Sequence, residues 1–160
     1  MTSPEASARL HVVPTSGAGE LDGEKPPLVP PGRYLLRFSH WETAIIWGRS
    51  HKLILHFTIC DLGPHLGTPL RRYYNVTKVV GRPGKYGNFK IGWKHDLVRE
   101  YARLLPLPSR ADRLNLDRLS SILLVGQVET TTTSARQKDI PEALHYSVVR
   151  ELLKVEAGAR

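Results

Sequence analysis

Cysteine is nearly absent from this chain. Cys60 is the one thiol in 160 residues, so no internal disulfide can form and no cysteine pair is at hand for zinc. It falls in a strand-like apolar run, where a free thiol acts as a small hydrophobe. Long hydrophobic runs are also missing: Leu53 to Leu55 and Ile122 to Val125 fall far short of a membrane span. The N-terminal MTSPEASARLHVVPTSGAGELDGEKPP has neither a basic n-region nor an apolar h-region, so no secretory signal is expected. These absences point to a cytoplasmic protein with no membrane partner. Acids are scarce where they would matter most. Residues 31 to 109 hold only Glu42, Asp61, Asp96 and Glu100, too few and too dispersed for a carboxylate-clustered nuclease centre. Asp96 and Glu100 stand one helical turn apart and are read as solvated helix surface. The seven histidines are scattered, G-x-S-x-G is lacking, and Gly84-Lys85-Tyr86 lacks the P-loop spacing and hydroxyl. The sequence therefore predicts no enzyme, no metal and no cofactor.

What the chain does have is localised positive charge. From Arg71 to Arg99 eight Lys or Arg residues face one acid, Asp96, so this stretch carries +7 of a total of +8. Five of the twelve aromatics, Tyr73, Tyr74, Tyr86, Phe89 and Trp93, sit among those cations. Interleaved cations and rings suit a groove that tracks phosphates and stacks unpaired bases. The bland reading is a solvated basic loop whose rings point into the core.

The organisation along the chain is that of a mainly β domain. Residues 1–30 are rich in Pro, Gly, Ser, Ala and Glu without apolar periodicity, and are expected to form a disordered tail. A folded domain over 31–155 and a short C-terminal tail, 156–160, follow. Arg33 to Trp47 reads as a long, bent or bulged strand. His51 to Asp61 alternates Leu53, Leu55, Phe57 and Ile59 against Lys52, Ile54, His56 and Thr58, the period of a half-buried strand. Leu70 to Val80 is a third strand. Gly81 to Gly92, with four glycines and one proline, is expected to be an exposed, mobile loop. Lys94 to Leu105 carries a helical apolar stripe, with Trp93 beside it read as a structural ring. A polar linker, 106–121, leads to a strand at Ile122 to Ser134, with a bulge or bend expected at Gly126, and to a last strand from Leu144 ending near residue 150. Three strands, a helix, then two strands is the layout of an OB-fold-like five-stranded β-barrel, with the helix between strands 3 and 4.

The PGRY opening, KLILHFTI, LGPHLG, RRYYNV, WKHDLVREYARLL and HYSVV segments together resemble the small OB-like single-stranded DNA-binding or recombination accessory proteins of phages and integrative or conjugative elements. The resemblance implies DNA binding in mobile-element biology. The residues themselves assign phosphate contacts to Arg71, Arg72, Lys78, Arg82, Lys85 and Lys90. Stacking falls to Tyr86, Phe89 and one of Tyr73 and Tyr74, since adjacent strand residues face opposite ways. The expected partner is single-stranded DNA, with RNA equally compatible on chemistry, and homo-oligomers are not excluded. The alternative is an adaptor or inhibitor whose basic loop docks on an acidic protein surface.

Overall fold

Alternation along β2, Ser50–Ile59, buries Leu53, Leu55, Phe57 and Ile59 together in a computed structural model of the chain. The structure describes residues 25–109, 114–134 and 138–158. The disorder expected of residues 1–24 lies outside them. β2 is flanked by β1, Gly32–Ile46, and β3, Pro69–Asn75, both antiparallel to it. β1 is long because it serves two neighbours. Its Gly32 to Arg37 half pairs with β7, Ile122–Thr131, while Leu36 to Ile46 pairs with β2. The register slips between Phe38 and His40, the bulge that lets one strand bend from one partner to the other. β8, Tyr146–Gly158, pairs with β7 and runs past residue 150, where the sequence had suggested an end. The β7 register slips at Gly126, as expected. A Cβ there would lie 2.6 Å from Leu36 Cδ1 and 3.2 Å from Val149 Cγ1, so side chains of the neighbouring strands fill the space that glycine leaves.

The path β3-β2-β1-β7-β8 is antiparallel at every step, so its outer strands, β3 and β8, run in the same direction. No ladder joins them among the described residues. The mainly β architecture with one principal helix is as expected, but the sheet is not closed into a barrel.

Helix α1, Asp96–Leu104, falls between the third and fourth of these five strands. His95 caps it, Nδ1 accepting from the Leu97 N–H at 3.0 Å. Leu97, Val98, Tyr101 and Leu104 are buried, as the stripe predicts. Glu100 lies on the same stripe and is 4% exposed, which corrects its reading as solvated surface. Its carboxylate accepts from Arg72 Nη2 at 2.6 Å, from the Tyr74 hydroxyl at 2.9 Å and from the Leu152 N–H of β8 at 2.9 Å. One side chain of the helix thus ties β3 to β8 where no ladder does.

The glycine-rich stretch is built rather than loose. β4, Lys78–Val80, pairs with β6, Asn88–Lys90, and β5, Gly84–Lys85, pairs with β1. Trp41 pins it, its indole N–H donating to Gly87 O and its carbonyl accepting from Tyr86 N, each at 2.9 Å. A Cβ on Gly87 would stand 2.1 Å from Thr43 Oγ1, so glycine is what lets this segment lie against β1. The supposed linker holds a short 3-10 helix, Leu116–Ser121, that buries Leu116 and Leu119. Residues 25–30 are packed as well. Val29 is buried and donates to Ser147 Oγ at 2.8 Å, and Ser147 N donates to Pro27 O at 2.9 Å.

Two outcomes follow. Glu100→Ala leaves Arg72 as an uncompensated buried cation and should cost about 3–5 kcal/mol, read as a fall in the urea midpoint at unchanged slope. Removing residues 1–30 should lower the melting temperature by about 5 °C relative to removing 1–24, because only the longer deletion takes Val29 out of the core.

Candidate nucleic-acid interface

Strand register decides which members of the basic and aromatic segment meet. On the inner face Tyr74 lies opposite Leu53, and on the outer face Tyr73 lies opposite Ile54. Tyr74 is 3% exposed and Tyr73 is half-buried, so Tyr73 is the displayed ring of the pair. Arg72 points inward with Tyr74. Its guanidinium stacks 4.0 Å from the Tyr74 ring centroid and makes the buried pair with Glu100. Burial alone would lower the Arg72 pKa, and the hydrogen bond to Glu100 with the nearby Tyr74 and Glu100 charges outweighs it and raises it. Burial also pushes the Tyr74 hydroxyl well above its ordinary range, against the Arg72 charge. Arg72 and Tyr74 are therefore core residues and leave the candidate set, because the ion pair that holds α1 to β3 consumes both.

The outer face of the sheet collects the others. One row crosses four strands as Lys85, Glu42, Ile54 and Tyr73. The next runs His40, His56 and Arg71. The His40 and His56 rings are stacked, with centroids 4.2 Å apart and planes within 9°. A 2.8 Å hydrogen bond joins His56 Nε2 to Glu42 Oε1. Tyr86 completes the surface. It is 51% exposed, edge-on to Trp41 at 4.9 Å and to His40 at 6.4 Å, with Lys85 Nζ 5.3 Å from its ring centroid. Its backbone sits at φ 60°, a left-handed conformation that costs a tyrosine on the order of 1 kcal/mol and holds the ring out on the face. Burial first, then the charges of His56, Lys85 and Arg71, lower the His40 pKa below its ordinary value, against the opposing pull of Glu42. The face thus sets Arg71 and Lys85 among rings, with Glu42 between them bonded to His56.

The remaining candidates lie elsewhere. Lys78 and Lys90 stand opposite each other on the small β4-β6 sheet, and Arg82 is exposed in the turn after β4. Phe89 packs against the core cluster, which weakens its assignment as a stacking platform. Trp93, expected to be structural, is 53% exposed. Sequence reasoning passed over His40, Trp41 and His56. For His56 the signal was present, since the β2 alternation puts it on the polar side with Lys52 and Thr58.

This face runs to the free edge of β3, where a cleft of about 580 Å³ separates β3 from β8. Lys25, Pro26 and Pro27 line its mouth, with His56, Arg71 and Tyr73 on one side and Tyr146 and Ser147 on the other. Among the described residues no three His, Cys, Asp or Glu side chains are placed to hold a metal ion, and no helix is long and apolar enough to cross a membrane. Comparison with protein-family models, with curated proteins and with solved structures finds no match to the chain.

Displayed and packed rings separate by stability. Phe89→Ala should cost about 1–2 kcal/mol, part of what a fully buried phenylalanine is worth, whereas Tyr86→Ala should cost under about 1 kcal/mol. Chemical denaturation of the two variants side by side checks the assignment.

Proposed function

We propose that the chain binds single-stranded nucleic acid, DNA in the first instance, without sequence specificity across the outer face of β1, β2, β3 and β5. The observation that carries this is the juxtaposition of His40, His56, Arg71, Lys85 and Tyr73, from four strands, with Tyr86 just after β5, on one face of the sheet. Cations there meet phosphates, and rings offer the flat apolar area that only unpaired bases can cover. Strand order supports the same reading. A bent first strand shared between two partners, with a helix between the third and fourth long strands, is the connectivity of an OB barrel left open between β3 and β8, and such barrels bind oligonucleotides over their second and third strands. A role in phage or mobile-element replication and recombination rests on the sequence resemblance alone. Lys78, Arg82 and Lys90 are assigned to a secondary, purely electrostatic contact.

Fluorescence anisotropy with an oligonucleotide of about 30 residues at low salt is the test. Binding at micromolar protein, stronger than for duplex, is expected. Arg71→Ala with Lys85→Ala should flatten the log-log salt slope by about 1.4, at about 0.7 per phosphate, while Tyr73→Ala or Tyr86→Ala should cost about 1–3 kcal/mol at nearly constant slope. Affinity should rise as pH falls from about 7.5 to about 5. The polyanion stabilises the imidazolium, so His40 titrates higher in the complex than in the free protein, and binding takes up a proton. His40→Gln should remove most of that gain. Absence of binding at micromolar protein, with a stoichiometric acidic protein captured instead, would replace this reading by the adaptor.

A further inference from the structure

We infer that the cleft between the open edges of β3 and β8 is a seat for one nucleotide unit, its base between Tyr73 and Tyr146 and its phosphate at Arg71 and Lys25. The inference deepens the nucleic-acid reading and rests on it for the choice of ligand. Its volume, about 580 Å³, lies within the usual range for small-molecule sites and leaves room for a base with its sugar phosphate. Each wall supplies a tyrosine: β3 gives Tyr73 and β8 gives Tyr146. Leu70 and Val148, both buried, add apolar surface from the same two strands. Among the described residues, Lys25, His56 and Arg71 line the cleft and no carboxylate does. Flat apolar walls with cations and no lining anion fit an aromatic ring carrying negative charge.

An extended peptide added along these edges is the competing occupant, and the edges suit it poorly. Strand addition needs a run of free backbone donors and acceptors on the edge. Pro69 has no N–H to give at the start of β3, and the Ser147 N–H at the start of β8 is already spent on Pro27 O at 2.9 Å. Further along, the Leu152 N–H is spent on Glu100. Those donors are lost to an added strand, whereas the side chains lining the cleft include two tyrosines. The cleft also adjoins the outer face directly, through His56, Arg71 and Tyr73, which belong to both. A strand lying across the face from Tyr86 toward β3 is thereby led into the cleft, where one base leaves the open surface and is held on two sides.

Deoxyadenosine monophosphate titrated into the full chain, followed by the NMR signals of the tyrosine rings and His56, tests this with a ligand too small to span the face. Saturable shifts at Tyr73, Tyr146 and His56 are expected, weakened at least about tenfold by Tyr146→Ala, retained in Tyr146→Phe and unchanged by Trp93→Ala, an exposed ring outside the cleft. Equal shifts with inorganic phosphate alone would reduce the cleft to an anion site and overturn the base seat. Failure of the mononucleotide to shift the cleft while the oligonucleotide binds would overturn the seat and leave the face reading standing. The converse, mononucleotide bound and oligonucleotide not, would uphold the seat and overturn the face.

Discussion

The carboxylate of Glu100 holds the architecture in its open form. In a closed barrel the β8 edge would spend its amides on β3, yet the Leu152 N–H donates to Glu100, as do Arg72 and the Tyr74 hydroxyl of β3. A buried carboxylate is costly unless its lone pairs are filled, and here a cation, a phenol and an amide fill them. The helix is consequently not a lid laid over a finished sheet. It supplies the acceptor that lets β3 and β8 lie side by side without a ladder, and the cleft is the part of that seam which α1 does not reach.

This network also sorts the charges. Of the eight cations between Arg71 and Arg99, Arg72 is paired with Glu100 and Arg99 with Asp96, while Arg71 and Lys85 stay on the outer face. Two arginines adjacent in sequence therefore stand in opposite surroundings: Arg72 holds α1 to the sheet and Arg71 is exposed on the outer face. The neighbouring tyrosines divide the same way, since inward and outward positions alternate along β3. Packed and displayed positions are thus interleaved residue by residue rather than kept in separate regions.

Much of this was legible in the chain. The β2 alternation fixed one face, the breakers and the stripe from Leu97 to Leu104 placed the helix, and the long first strand announced its bend. What stayed hidden depended on partners distant in sequence. Glu100 is spaced at i+3 from Leu97 and four before Leu104, yet its charge made it read as solvated surface, and only the fold brings up the β3 arginine that compensates its burial. The stretch Gly81 to Gly92 read as a loop because glycine is locally permissive, whereas the structure uses Gly87 to bring backbone against Thr43. The partial burial of Phe89 likewise comes from packing that composition does not express.

The ladder pattern has a consequence for how the chain finds this arrangement. β1 to β3 form a meander, and β7 with β8 form an antiparallel pair, each joining strands consecutive among the five. The six register pairs from Gly32↔Val128 to Arg37↔Leu123 are the ladder that unites these two modules. The entropy of closing a loop this long must be met there, and it grows only with the logarithm of its length. β1 is then the strand the two modules share, with Leu36 and Arg37 pairing on one side with β2 and on the other with β7 just before the bulge between Phe38 and His40.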